Sequence, residues 1–232
     1  MTVAFRALYD LAGLFYPNLC LACRRNLPPR QESICLSCQY KLPKTGFHEQ
    51  LENPFTERFW GRVELQAGAA LYFFNKSGRA QRLVHSLKYE GKQQIGVKLG
   101  QIYGSLLKEA PGFRQASLIL PVPLHARKER QRGYNQSACF ARGLSQSMGI
   151  PWLKDGLLRA EFTSTQTRKS RLERFDNVAA AFAIPRPKLL EGQHILLVDD
   201  VITTGATLEA CALKLLELPG TRVSMATIAI AN

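Results

Sequence analysis

Two clusters in this chain combine residue types that can do chemistry. The first is ILLVDDVITTGAT, residues 195–207. Its four leading apolar residues lack alternation, which suits a central parallel strand covered on both faces. Such strands present ligand groups at their carboxyl ends, where Asp199 and Asp200 are expected. Adjacent strand residues point to opposite sides, so the pair need not chelate one metal together. Where the chain turns, both can still reach a polyol or a hydrated cation, and each carboxylate can accept from more than one O–H group. Thr203, Thr204, Gly205, Ala206 and Thr207 follow and open a helix. Unpaired amides at a helix start, together with the helix dipole, favour phosphate. Threonine hydroxyls add donors, and Gly205 permits a conformation or close approach that a side chain would hinder. One end of the stretch accepts hydroxyls and the other cradles an anion, as a ribose 5-phosphate requires.

The second cluster is CLACRRNLPPRQESICLSC, which places Cys20, Cys23, Cys35 and Cys38 in the spacing C-x2-C, eleven residues, C-x2-C. Two tight turns, each offering two thiolates, make a tetrahedral sulfur site suited to structural zinc. A small iron–sulfur cluster or a redox pair shares the remaining ground. Two disulfides fit an exported chain, but no export signal is evident: the first seventeen residues carry Asp10 in their apolar part and read as a short amphipathic helix. Four thiolates leave no open metal position, so the metal is expected to staple a short segment. Arg24, Arg25 and Arg30 could also touch nucleic acid, with stapling the simpler role. Cys139 and Cys211 sit in apolar helical stretches and read as small core side chains.

These clusters need a scaffold, and 232 residues with 46% hydrophobic content supply one. No uninterrupted apolar run approaches the roughly 20 residues of a membrane helix. The net charge of +13 implies an anionic partner or substrate: nucleic acid, acidic lipid or polyphosphate. Residues 39–60, with Pro43, Gly46 and Pro54, read as a connector. Strand patterning covers 62–74, and helices follow over GRAQRLVHSLKYEG and 94–108, the latter with Ile95, Val97, Leu99, Ile102 and Leu106 as its apolar side. SLILPVP is a short buried strand, LHARKERQRGYNQ a basic loop and 135–147 a helix. A weak strand at 152–159 precedes a polar, basic stretch over 160–180, long enough to be a mobile functional loop. AFAI, HILLVDD and RVSMATIAIA are strands, with a helix at 206–217. Apolar strands separated by helices predict an α/β fold with a mainly parallel central sheet flanked by helices. The expected organisation is a helix and cysteine knuckle over 1–45, a connector over 46–60 and the α/β domain over 61–232.

A buried strand, an acid pair and a capped helix occur in many α/β proteins, but all thirteen positions of ILLVDDVITTGAT resemble the 5-phosphoribosyl 1-pyrophosphate (PRPP) motif of type I phosphoribosyltransferases. That resemblance implies that Asp199 and Asp200 hold ribose hydroxyls and that residues 203–207 wrap the 5-phosphate. PRPP also carries a pyrophosphate, which needs positive charge and usually Mg²⁺. Arg127, Lys128, Arg130 and Arg132 are candidates, some of them only solvated surface charges. Lys88 is another, though its place at a helix C-terminus is also explained by the local dipole. His125 is a weaker candidate, as a proton donor. Arg168, Lys169, Arg171 and Arg174 in the 160–180 stretch could close over an anionic transition state and exclude water. Pyrophosphate departure would leave an oxocarbenium-like C1, and the protein would mainly position groups and neutralise charge.

Over nearly its whole length the chain resembles the ComF family, which also includes GntX-type proteins. The likeness rests on the four-cysteine knuckle, LKY at 87–89, PVPLHARKERQRGYNQ at 121–136, TQTRKSRLERFDNVAAAF at 165–182 and VDDVITTGAT at 198–207. It places Arg127, Arg130, Arg132, Gly133, Asn135 and Gln136 in an arginine-rich block. Gln166, Arg171, Arg174 and Asn177 fall in a second polar block. A leucine common soon after the glutamine is displaced here, because TRKS intervenes before Leu172. The resemblance implies a role in natural transformation, inside the cell, at the inner face of the membrane beside the DNA-uptake machinery, on incoming single-stranded DNA. A Mg²⁺-dependent phosphoribosyltransferase, a PRPP or nucleotide sensor without turnover, and a zinc-stapled DNA-binding protein with a vestigial pocket all fit it. Tyr89 and Tyr134 are the aromatics available to stack bases.

Overall fold

The computed structural model describes residues 18–28, 31, 33–76, 78–159 and 181–231. The helix expected over the first seventeen residues, Arg30, and the 160–180 stretch with Gln166, Arg168, Lys169, Arg171, Arg174 and Asn177 lie outside the described residues. The central sheet has four strands: β1 (Ala67–Phe74), β2 (Leu118–Pro121), β5 (His194–Ile202) and β6 (Arg222–Ala231). Their order is β1-β6-β5-β2 and every pairing is parallel, as the continuous apolar runs require. AFAI and the 152–159 segment do not join it. They leave a two-residue pair, β3 (Leu158–Arg159) with β4 (Phe182–Ala183), antiparallel, while Trp152 makes one parallel bridge to Ile119 beside β2.

Both faces of the sheet are covered. Leu196 and Val198 pack with Leu83, Leu87, Leu99 and Phe140 on one side, and Cys139 joins that core. Ile195 and Leu197 pack with Leu208, Cys211, Leu215 and Phe59 on the other. The helices are α1 (Leu36–Lys41), α2 (Arg79–Tyr89), α3 (Gln93–Leu107), α4 (Ala126–Arg132), α5 (Gln136–Met148) and α6 (Ala206–Leu216). None is long and apolar enough to cross a membrane.

Two elements differ from the sequence reading, for physical reasons. The basic loop at 124–136 contains the helix α4, closed by His125, whose Nδ1 accepts from the Arg127 amide, and by Gly133 at φ +82°. Helical patterning was silent there because α4 buries none of its residues. In α3 the buried side is Ile95, Leu99, Tyr103 and Leu107 with Gly96, Gly100 and Gly104, whereas Leu106 is exposed. Counting apolar side chains misjudged this face because the glycines make the contact. A Cβ on Gly100 would lie 2.3 Å from the Phe140 carbonyl oxygen, and one on Gly143 of α5 would lie 2.0 Å from that of Val97. The two backbones therefore meet without intervening side chains.

This contact yields a test. Alanine at Gly143 gains about 1 kcal/mol in helix propensity, but it must push two helix backbones apart, at a cost of roughly 3 kcal/mol or more. Gly143→Ala should lower the urea unfolding midpoint; an unchanged or raised midpoint would show that the helices separate freely.

Candidate functional site

The acid pair sits where the sheet loses a strand. β2 ends with Pro121 opposite Val198, yet β5 runs on to Ile202, still paired with Ile230 of β6. The aspartates are thus inside β5, short of its true end. Beyond Val198 the flank vacated by β2 is filled by the start of α5. Asn135 caps that helix by accepting from the Ser137 amide, and its Nδ2 donates to the Val122 carbonyl. The cap brings Ser137 to Asp199, whose Oδ1 accepts from the Ser137 hydroxyl at 2.7 Å and from the Asp200 amide at 2.8 Å. Asp200 is 3% exposed, and its Oδ1 lies 2.8 Å from Lys88 Nζ, which reaches in from the last turn of α2. Its Oδ2 is buried without a hydrogen-bonding partner. Burial, then the charge of Asp200, pushes the Asp199 carboxyl up to about 7; Ser137, the Asp200 amide and Lys88 pull it down without cancelling that.

Val201 to Leu208 wrap a shallow cavity of about 50 Å³ beside Asp199. Thr203, Thr204, Ala206 and Thr207 are exposed to it, while Gly205 is buried at φ +85° and caps α6. A left-handed residue is needed to turn strand into helix here, and the Phe59 ring, 3.0 Å from where a Cβ would stand, would have to give way to admit a side chain. Residues 56–62 brace this loop from outside. Arg58 donates to the carbonyls of Thr203 and Ala231, and Arg62 pairs with Glu209 at 2.6 Å. Their segment is held by Asn53, whose amide donates to Phe47, Gln50 and Gly68 carbonyls and whose Oδ1 accepts from the Phe55 and Thr56 amides. Sequence reasoning missed Arg58, which no local pattern signals. It also missed Ser137, which the helix-start signature Asn-Gln-Ser could have indicated.

A basic cleft of about 310 Å³ opens from Lys88 and is lined by Tyr89, Gly91, Lys128, Gln131 and Arg132. Of the sequence candidates it gathers Lys88, Lys128 and Arg132; Arg127 and Arg130 are exposed on α4 and do not line it. Arg132 lies over the Tyr89 ring at 5.7 Å and donates to Gln136. Tyr89 is exposed, whereas Tyr134 is buried and donates to the Leu87 carbonyl, so only the former can stack a base. His125 is occupied as the cap of α4.

The four cysteines converge in the N-terminal segment. Their sulfurs all lie within 4.8 Å of one another, with Cys23 and Cys35 at 3.9 Å. Tetrahedral sulfur coordination at about 2.3 Å places sulfurs about 3.8 Å apart, so the cluster is able to chelate a metal and is consistent with a structural zinc site. The Cys35 amide donates to Cys20 Sγ at 3.3 Å and the Cys38 amide to Cys35 Sγ at 3.4 Å. Burial works against ionising Cys20, but amide donors outweigh it and bring the thiol to about 7. Burial and the neighbouring sulfurs push Cys38 up, since a last thiolate here repels the others. Arg24, at φ +63° in the first turn, ties the segment to Glu90, just past α2, at 2.9 Å.

A parallel sheet with an acid pair at its broken flank and a threonine–glycine loop opening a helix defines a phosphoribosyltransferase-like domain, and residues 135–231 match the phosphoribosyl transferase domain family. The DNA utilization protein YhgH of Escherichia coli (strain K12) is 30% identical over 224 residues, spanning 88% of this chain and 92% of that protein. Competence protein F of Haemophilus influenzae is 28% identical over 84% of this chain and 89% of its own length. Competence protein ComFC of Bacillus subtilis is 26% identical, over 93% and 84%. The chain belongs to the ComF/YhgH family of competence proteins, with a phosphoribosyltransferase domain and an N-terminal four-cysteine segment. Among solved structures, glutamine PRPP amidotransferase from B. subtilis, complexed with ADP and GMP, matches at 20% identity and TM-score 0.45, over 62% of this chain and 30% of that one. Adenine phosphoribosyltransferase from Saccharomyces cerevisiae matches at 14% identity and TM-score 0.37, over 60% and 69%.

The raised Asp199 pKa gives a signed expectation. An unfolded aspartate titrates near pH 4. The folded carboxyl titrates at about 7, so its stabilising effect is full below about pH 4 and lost as pH rises through about 7. Asp199→Asn keeps an oxygen for Ser137 and the Asp200 amide while removing the charge. We expect it to be more stable than the parent at pH 8, on the order of 1–2 kcal/mol, with the gain fading between pH 7 and 4. Thermal unfolding across that range checks this; a gain independent of pH would refute the assigned cause.

Proposed function

We propose that this protein binds PRPP with Mg²⁺ at the Asp199–Asp200 gap and serves natural transformation as a phosphoribosyltransferase-like protein acting on or with incoming single-stranded DNA. The buried, unpartnered Asp200 Oδ2 carries the reading: a buried acceptor without a donor is costly, and a ribose hydroxyl is a donor of the right kind. Asp199 would accept the neighbouring hydroxyl. Residues 203–207 would take the 5-phosphate through amides and threonine hydroxyls. Lys88, Lys128 and Arg132 would face the pyrophosphate, and Arg171 and Arg174 remain proposed to close over it. Bound Mg²⁺ would offset pyrophosphate charge. With that charge neutralised, Lys88 and the cleft would favour breaking of the C1–O bond to pyrophosphate while an acceptor nucleophile bonds to C1 from the opposite face. The relatives' names, DNA utilization and competence, support the DNA role. On this reading the protein works in the cytoplasm, at the inner membrane face beside the uptake machinery. The exposed Tyr89 beneath Arg132 favours a second reading, direct contact with single-stranded DNA by stacking. The four thiolates would hold structural Zn²⁺.

Calorimetric titration of PRPP and Mg²⁺ should show binding by the parent and none by Asp199→Ala/Asp200→Ala. Equal binding by both would sink the site assignment. Following pyrophosphate release with a panel of bases, then single-stranded DNA, separates turnover from sensing. Elemental analysis of protein purified under reducing, chelator-free conditions should find about one zinc per chain, and Cys20→Ser should lower both zinc content and melting temperature. Absence of zinc from the parent would remove the zinc assignment.

A further inference from the structure

A depression of about 500 Å³ lies between the four-cysteine segment and helices α3 and α5, and none of Asp199, Asp200 or residues 203–207 lines it. Its volume falls within the range of small-ligand pockets. Its polar wall is formed by Gln31, Gln39, Gln94 and Gln101 with Lys98 and Arg142, and among the described residues no carboxylate lines it. Neither Lys98 nor Arg142 has an ion-pair partner among the described residues. Two cations with no acid beside them among the described residues favour an anion.

The carboxamides say more. Each offers an acceptor oxygen and two donors. Gln39 gives one Nε2 hydrogen to the Ile34 carbonyl and Gln101 gives one to Gln146, and neither side-chain oxygen accepts a hydrogen bond among the described residues. Gln31 Oε1 is buried and has no hydrogen-bond partner. Ile34, Leu36 and Val97 add an apolar wall, and Leu36 is 66% exposed. Acceptors beside an apolar surface, with cations at the edge, match a flat heterocycle that carries an exocyclic amine and a phosphate.

We propose that this cleft is a nucleotide site distinct from the phosphoribosyl site. It takes one nucleoside 5′-monophosphate unit, free or within a single strand, with the base amine toward the glutamines and the phosphate on Lys98 and Arg142. Adenine and cytosine carry the required amine; uracil does not.

The test uses the full-length, metal-replete protein. Binding of AMP, CMP, UMP, inorganic phosphate and a short fluorescent oligo(dA) is measured for the parent, Lys98→Ala/Arg142→Ala, Gln94→Ala/Gln101→Ala and Asp200→Asn. Gln94 and Arg142 are exposed and Lys98 and Gln101 are half-buried, and circular dichroism confirms folding. AMP and CMP should bind several-fold tighter than UMP. The charge variant should weaken binding by about tenfold or more, the glutamine variant should erase the preference over UMP, and Asp200→Asn should bind like the parent. If only the oligonucleotide binds and both cleft variants lose it, the unit is read within a strand. If AMP binds as tightly as the oligonucleotide, the site takes free nucleotide. The proposal is overturned if neither probe binds, if both cleft variants bind like the parent, or if inorganic phosphate competes as well as AMP. Loss in Asp200→Asn alone would also overturn it, while leaving the PRPP reading standing.

Discussion

Two adjacent carboxylates inside a sheet repel each other and lose water, and much of this structure answers that cost. Lys88 meets Asp200 from one side of β5 and Ser137 meets Asp199 from another. Both arrive at helix ends: Lys88 in the last turn of α2 and Ser137 in the first turn of α5. Moving either helix along its axis would strand a charge where water cannot reach it. The acid pair therefore demands that the surrounding helices be placed closely, and the fold supplies that placement through backbone contact rather than through bulky side chains.

The glycines of α3 and α5 serve that end. Gly100 and Gly143 let the two helices touch, which fixes the height of α5 over β2 and hence the position of Asn135 and Ser137 at the broken flank. On the opposite side, Asn53 uses its whole side chain to hold the segment from which Phe59 supports Gly205. Neither Gly100 nor Asn53 touches the cavity, yet both determine which atoms reach it.

The central strands, the order of helices, the four-cysteine cluster and the Asp–Thr–Gly loop were legible in the sequence because each follows from local patterning. ILLV lacks alternation, as a doubly covered strand does, and C-x2-C twice over brings four sulfurs within reach of one centre. What escaped depends on distance. Helix α4 buries nothing, so it left no periodic trace. The apolar side of α3 was misjudged because glycine counts as empty in a hydrophobic tally but acts as the contact in a packed pair. Arg58 joins Thr203 and Ala231 across most of the chain, and no window of sequence contains that relation. Of the arginine-rich block, only three-dimensional curvature separates Arg132, inside the cleft, from Arg127 and Arg130 outside it.

The strand order carries a consequence for how the chain becomes a protein. β6 lies between β1 and β5, so Ala67 must wait for Ser224 and His194 for Arg222 before the sheet closes. During synthesis the earlier strands emerge first with their inner edges open, and the loop after β5 cannot be set until the strand beside it exists. Folding of such non-local parallel pairings is slow, and open apolar edges invite pairing with other chains. A nascent copy halted before β6 would hold the residues of its acid pair and threonine loop, yet lack the neighbour that shapes them, and would present an adhesive edge to its surroundings.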